Sequence, residues 1–180
     1  LAVTAAVEHQ LKQLRVFAEV RLIFANALPD REHLYNQMET MEEKARVFDS
    51  VLAGINRTFR PDVILIACNT LSVVYPQTTF SRSSRVPVIG IVEFGVDLVA
   101  QALRDDSTAS AIILGTPTTI GQKTHATRLA ELGFDSTRVS SQACDMLESE
   151  IQVDPSGDVV RSMIEMYAGD ALDRQIAHPK

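Results

Sequence analysis

The run Val63-Ile64-Leu65-Ile66-Ala67 contains no polar side chain and stops abruptly at Cys68-Asn69-Thr70. Pro61 and Asp62 open it. A short aliphatic run of this kind is typical of a strand buried on both faces of a parallel sheet. Such a strand constrains the chain more than any other feature, because helices have to cover it and a crossover has to lead to the next strand.

The remaining pattern supplies both. Val3, Val7, Leu11 and Leu14 recur at helical spacing, and so do Met41, Ala45, Phe48, Leu52 and Ile55. Val20 to Ala25 reads as a short strand, and Asn26 to Gln37, with Pro29, as a long loop of the sort that covers a site. The acidic group Glu39, Glu42 and Glu43 suits a solvated helix start. A helical stretch runs from Leu71 and is bounded or interrupted by Pro76. Val86 to Val92 is a further strand, with Pro87 near its start or at an edge. Val96 to Leu103 is helical, and Asp105-Asp106-Ser107 breaks it. Ala111 to Leu114 is a strand. Gly115 to Thr119 turns into a helix that ends near Gly133, a suitable C′ glycine. Phe134 to Ser141 holds one more strand, and Ser156 to Leu172 a last helix. Strands alternating with helices predict an α/β fold with parallel sheets and helices on both faces. The stretch 93–108 divides it into two lobes, residues 1–95 and 96–180.

Length and composition narrow the function classes. The chain has 180 residues, 46% hydrophobic and 22% charged, with a net charge of −6. That suits ordered globular structure rather than disorder. The longest apolar run, Val63–Cys68, is far short of the about 20 residues that span a bilayer, so a membrane is not expected as partner. No basic block stands out, which argues against nucleic acid. Two cysteines are too few for a disulfide scaffold, so a reduced, cytoplasmic setting is expected. The start lacks the basic and apolar regions of a signal peptide. It begins at Leu1 rather than Met, so translation is expected to start elsewhere.

In open α/β sheets, ligands bind beyond the carboxyl ends of the strands. That rule selects Cys68-Asn69-Thr70 and Gly115 to Thr119. A helix N-terminus offers partial positive charge and free N–H groups, which favour a thiolate. Asn69 and Thr70 add donors for a carboxylate. The alternative is that Cys68 is a small buried hydrophobe. Thr116, Thr118 and Thr119 can hold an anionic group in the same way, or Thr118 or Thr119 simply caps the helix. Tyr35 either covers a ligand or packs its ring. Cys144 lies among Asp145 and Glu148, which oppose a thiolate, so a structural role is expected. His9, His33, His125 and His178 show no metal-ligand spacing with the cysteines; His33 and His125 read as surface residues rather than bases. There is no Walker loop, GxGxxG or GxSxG.

Ile66-Ala67-Cys68-Asn69-Thr70 resembles the first active-site motif of the aspartate/glutamate racemase superfamily. Val86 to Val92 resembles the strand after it, and Leu114-Gly115-Thr116-Pro117-Thr118-Thr119 the Gly-Thr-x-x-Thr turn of that family. Their order and spacing agree over roughly residues 1–170. Tyr35-Asn36 resembles the family's Tyr-Gly substrate loop, with Asn in place of Gly. The resemblance implies a racemase of two similar α/β lobes, active on aspartate or glutamate without pyridoxal phosphate, metal or nucleotide, and forming a homodimer. One thiolate removes the α-proton and a second thiol returns a proton on the opposite face. It assigns Cys68 the acid/base role and gives Asn69, Thr70, Thr116, Thr119 and Tyr35 to a small carboxylate or amino-acid substrate. The resemblance places an opening strand with an Asp-Ser-Gly loop, which touches the substrate amino group, and a Cys-Thr-His with the second cysteine. Neither is in this sequence, which implies a longer protein or, as the rival, a degenerate and inactive member. Cys144 matches an Ala-Cys segment that is not the catalytic one. Rival readings are a sibling enzyme (hydantoin racemase, maleate isomerase or decarboxylase) and a non-catalytic carboxylate-binding protein.

Overall fold

The computed structural model describes residues 2–15, 17–28 and 34–177. Pro29, His33 and His178 lie outside the described residues. The fold is α/β, and its strands form two parallel two-stranded sheets. In the first, β1 (Ile64–Ile66) pairs with β2 (Val88–Gly90) in the register Ile64 to Val88 and Ile66 to Gly90. In the second, β3 (Ala111–Gly115) pairs with β4 (Val139–Ala143), Ala111 opposite Val139 and Gly115 opposite Ala143. Parallel neighbours need a crossover. For the first sheet it consists of α3 (Asn69–Val74), a 3-10 turn at Tyr75–Gln77 and α4 (Thr79–Ser83). For the second it is α6 (Pro117–Gly121) and α7 (Thr124–Glu131). Before the first sheet come α1 (Ala2–Leu14) and α2 (Met41–Phe59). Between the sheets runs α5 (Val92–Asp105), and α8 (Leu147–Val153) and α9 (Asp158–Ala177) close the order.

The helix ends follow local chemistry. Thr40 caps α2 by accepting from the Glu43 N–H at 3.1 Å, with Glu42 and Glu43 in the first turn, where negative charge suits the dipole. After α7, Gly133 takes φ +90°, a conformation open to glycine at little cost, and its N–H donates to Ala130 O. Pro87, just ahead of β2, gives up no ladder donor; its carbonyl accepts from Ile64 N at 2.9 Å.

Packing explains the placement of each sheet. Phe48 and Leu52 of α2 bury against Ile64 and Ile66, together with Leu71, Val74 and Phe80. Val92, Val96 and Ala100 of α5 bury against Leu129 of α7, and Val73 of α3 joins them. Each full burial of an aliphatic side chain contributes about 1.5–3 kcal/mol. Arg138 ties the end of α5 to the second sheet: its guanidinium donates to the carbonyls of Leu103 and Ala109 at 2.9 Å and of Asp106 at 2.7 Å. Among the described residues no helix is long and apolar enough to cross a membrane.

Two sequence expectations need correction, and one element was missed. Val63–Ala67 is not buried on both faces. Side chains alternate along a strand, so Ile64 and Ile66 meet α2, whereas Leu65 is 49% exposed and faces a cavity. Val20–Ala25 forms no strand among the described residues, and Val20, Leu22, Ile23 and Phe24 stay exposed. Its composition suits a strand, but a strand forms only where a neighbour offers a ladder. Helix α8 was not expected at all; it begins after Met146, which takes φ +59°.

The first core yields a direct test. Leu52 is 1% exposed and Leu98 70%. Leu52→Ala is expected to lower the unfolding free energy by about 2–5 kcal/mol, and Leu98→Ala by at most about 0.5 kcal/mol. Urea unfolding of both variants checks it, and equal losses would contradict the packing described.

Candidate active site

Cys68 lies one residue past Ala67, which follows β1, and occupies the N-cap position of α3, with φ −114° and ψ 125°. N-cap side chains commonly accept from the first helical N–H groups. The Cys68 side chain makes no such bond, and its thiol is exposed. Ser72 fixes the backbone here. Its hydroxyl donates to the Cys68 carbonyl at 2.8 Å and accepts from the Ile91 N–H at 3.1 Å, so the ends of β1 and β2 are stitched together. Gly90 permits this approach, because a Cβ there would stand 3.0 Å from the Ser72 side chain. The sequence reading missed Ser72 and Gly90.

Beside Cys68 the two strand-end turns meet. Thr70 Oγ1 lies 3.0 Å from Thr116 Oγ1 and 3.2 Å from Thr119 Oγ1, and the latter two are 3.0 Å apart. Thr116, rather than the expected Thr118 or Thr119, caps α6 by accepting from Thr119 N at 3.2 Å. Thr70 and Thr119 are buried. Each hydroxyl carries one proton and can rotate, so turning a donor toward a carboxylate costs one edge of the triangle. Thr118 does not line this cavity.

The cavity has a volume of about 1400 Å³, and its wall includes Cys68, Asn69, Thr70, Thr116, Thr119 and Tyr35. The structure thus brings these six sequence-selected residues to one place. Tyr35 both packs and faces the cavity: it is 5% exposed, with its ring edge-on to Phe48 at 6.2 Å. Burial, and after it the sulfur of Cys68, push the Tyr35 phenol up to about 12, so it stays protonated near neutral pH.

His125 was expected at the surface. Instead it is half-buried on the cavity wall, with Nε2 3.2 Å from Asn69 Oδ1. With Nε2–H as donor, the contact occupies the amide oxygen of Asn69 and leaves its N–H donors for a ligand. Burial holds the imidazole below its ordinary pKa, with Glu93 pulling the other way. Glu148 also reaches the cavity and accepts from Asn36 Nδ2. No spacing in the sequence joins Glu148 to residue 36. Cys144 lies elsewhere, buried with Leu147 and Val160, and burial pushes its thiol up. Among the described residues no group of three or more His, Cys, Asp or Glu side chains is placed to hold a metal ion.

This geometry can be set beside known proteins. Two glutamate racemases show the sequence likeness. That of Syntrophus aciditrophicus is 36% identical over 85 residues, covering 47% of this chain and 30% of the relative. That of Campylobacter jejuni is 27% identical over 110 residues, covering 61% and 42%. The crystal structure of the Campylobacter jejuni glutamate racemase superposes with a TM-score of 0.64 at 22% identity, over 76% of this chain and 52% of that one. The glutamate racemase of Francisella tularensis in complex with D-glutamate gives a TM-score of 0.64 at 21% identity, over 77% and 49%. At these identities the structural likeness speaks for the fold. The chain spans about a third to two-fifths of the length of these curated relatives, and about half of the solved chains. The family model for Asp/Glu/Hydantoin racemase matches residues 1–174, and the chain belongs to that family.

Proposed function

We propose that Cys68 is one acid/base thiol of a cofactor-independent amino-acid racemase acting on a dicarboxylic amino acid, aspartate or glutamate. The observation that carries this reading is an exposed, uncapped thiol at the head of α3, beside the linked hydroxyls of Thr70, Thr116 and Thr119. The threonines and the Asn69 amide hold the α-carboxylate, and Tyr35 closes the thiol side. The two lobes, residues 1–95 and 96–180, meet at this place. The protein is cytoplasmic and homodimeric on the same reading.

The thiolate of Cys68 takes the α-proton, and the electron pair of the broken C–H bond stays on the α-carbon, delocalised into the carboxylate. A thiol on the opposite face then donates a proton to that carbon. A second reading draws on one observation: Cys144 is walled off, so among the described residues Cys68 is the thiol that lines the cavity. One thiol alone returns a proton to the face it left. That gives exchange with retention of configuration.

Incubation with aspartate or glutamate in D2O, followed by NMR of the α-position and chiral analysis, tests both readings. Wild type is expected to replace the α-proton by deuterium; inverted product supports racemisation and retained product supports the one-thiol reading. Cys68→Ala is expected to lose exchange by at least about a hundredfold while still binding substrate, and Cys144→Ala to keep it. Unchanged exchange in Cys68→Ala, or a dead Cys144→Ala, would sink the assignment.

His125 adds a pH signature. Its folded value lies below the ordinary 6.5 because burial disfavours the imidazolium. The unfolded chain therefore binds more protons between the two values. This contribution to stability is fully present above about 6.5 and is lost as pH falls through that window. Urea unfolding measured from about pH 7 to about pH 5 is expected to show a steeper loss in wild type than in His125→Gln. Parallel curves would contradict the buried, neutral imidazole.

A further inference from the structure

The Asn69 side chain is exposed, lines the cavity and has two chemically opposite ends. Turned one way, its amide shows a ligand two N–H donors. Turned the other way, it shows a carbonyl oxygen. A carboxylate beside Cys68 is held by the first arrangement and repelled by the second. A half-turn of the amide exchanges the two, and an exposed planar group has little packing to choose between them.

The hydrogen-bond partner makes the choice. Among the described residues the amide has one side-chain hydrogen bond, between its Oδ1 and His125 Nε2 at 3.2 Å. His125 belongs to α7, in the crossover of the second sheet, 56 positions along the chain. Burial lowers the pKa of the imidazole, so near neutral pH the ring is neutral and its tautomer matters. With the proton on Nε2, the ring donates to the Asn69 oxygen and leaves both amide N–H groups free. With the proton on Nδ1, a bare Nε2 would accept from the amide and turn its oxygen to the ligand. The imidazole is also well anchored. Leu129, one turn further along the same face of α7, is 1% exposed and packs with Val92, Val96 and Ala100 of α5. Arg128 of α7 pairs with Glu93 of α5 at 3.2 Å. A donor carried by a packed helix keeps its place.

We propose that His125 is a positioning residue: its Nε2–H holds the Asn69 oxygen, so that the amide N–H groups face the substrate carboxylate beside Cys68. This rests on the reading of the cavity as an amino-acid site and deepens it. His125 acts through Asn69, on an interaction made with the carboxylate before and during proton transfer alike. Its loss therefore raises KM and leaves kcat near the wild-type value.

Deuterium exchange at varied glutamate or aspartate gives KM and kcat, and calorimetry gives the dissociation constant. Both are measured for wild type, His125→Phe, His125→Gln, Asn69→Ala and the variant carrying Asn69→Ala with His125→Phe, with thermal unfolding as a check on folding. Phenylalanine keeps the bulk of the ring without a donor, and glutamine restores an N–H at about the reach of Nε2. His125→Phe is expected to raise KM and Kd about three- to tenfold, the scale of one net hydrogen bond, with kcat within about twofold of wild type. His125→Gln is expected to recover most of that loss. In the Asn69→Ala background, His125→Phe is expected to change neither constant. His125→Ala, which also lacks the donor, carries the test if His125→Phe fails to fold. If wild type binds without exchanging, the dissociation constants alone carry it. Unchanged KM and Kd in His125→Phe, a fall in kcat alone, no recovery with glutamine, or the same loss in the Asn69→Ala background would each overturn the positioning role and leave the amino-acid reading standing. A wild type that binds neither amino acid would overturn both.

Discussion

The contact on which the site depends is the one Thr70 makes with Thr116 and Thr119. The two sheets share no strand pairing, so no ladder of backbone hydrogen bonds sets the end of β1 against the end of β3. Val73 packing under α5 brings the halves together, but apolar contact is non-directional and tolerates sliding. The hydroxyl triangle is directional. Each bond contributes only about 0.5–1.5 kcal/mol net, yet Thr70 and Thr119 are buried, so a shift that breaks the triangle also strands polar atoms without water. The asymmetry between a modest gain and a larger loss holds the two turns in register.

A second constraint acts within the first sheet. The N-cap position of α3 would be better served for stability by Ser, Thr, Asp or Asn. With Cys68 there, the side chain caps nothing, and Ser72 supplies the local order from one turn further on. Gly90 makes room for it. The thiol is thereby held by its backbone, while its sulfur remains uncommitted. A residue that departs from the local stability rule, with the compensation placed beside it, is the pattern expected of a functional position.

What was legible in the sequence was local. The run 63–67 and the polar triplet that ends it, the Gly-Thr turn, the helical spacing of α2 and the glycine after α7 each carry their signal within a few residues. What was missed depends on distant partners. His125 reads as an unremarkable helix residue until the crossover of the second sheet lays it against Asn69, and Glu148 reaches Asn36 across the whole fold. Val20–Ala25 shows the converse. Its β-branched and aromatic residues state a preference, but pairing is a property of two segments and no neighbour among the described residues meets it. The exposed face of β1 has the same origin: a hydrophobic run announces burial, but burial also needs a covering layer that the run itself does not specify, and Leu65 is 49% exposed.

The distribution of polar groups in the cavity bears on stereochemistry. On the proposed reading, donors at Thr70, Thr116 and Thr119 hold the carboxylate beside Cys68. A substrate held in one orientation presents its α-hydrogen to the sulfur in one enantiomer. In the other enantiomer the hydrogen points away from it. Inversion then requires a proton donor on the far face, at a position that neither Cys68 nor the buried Cys144 occupies.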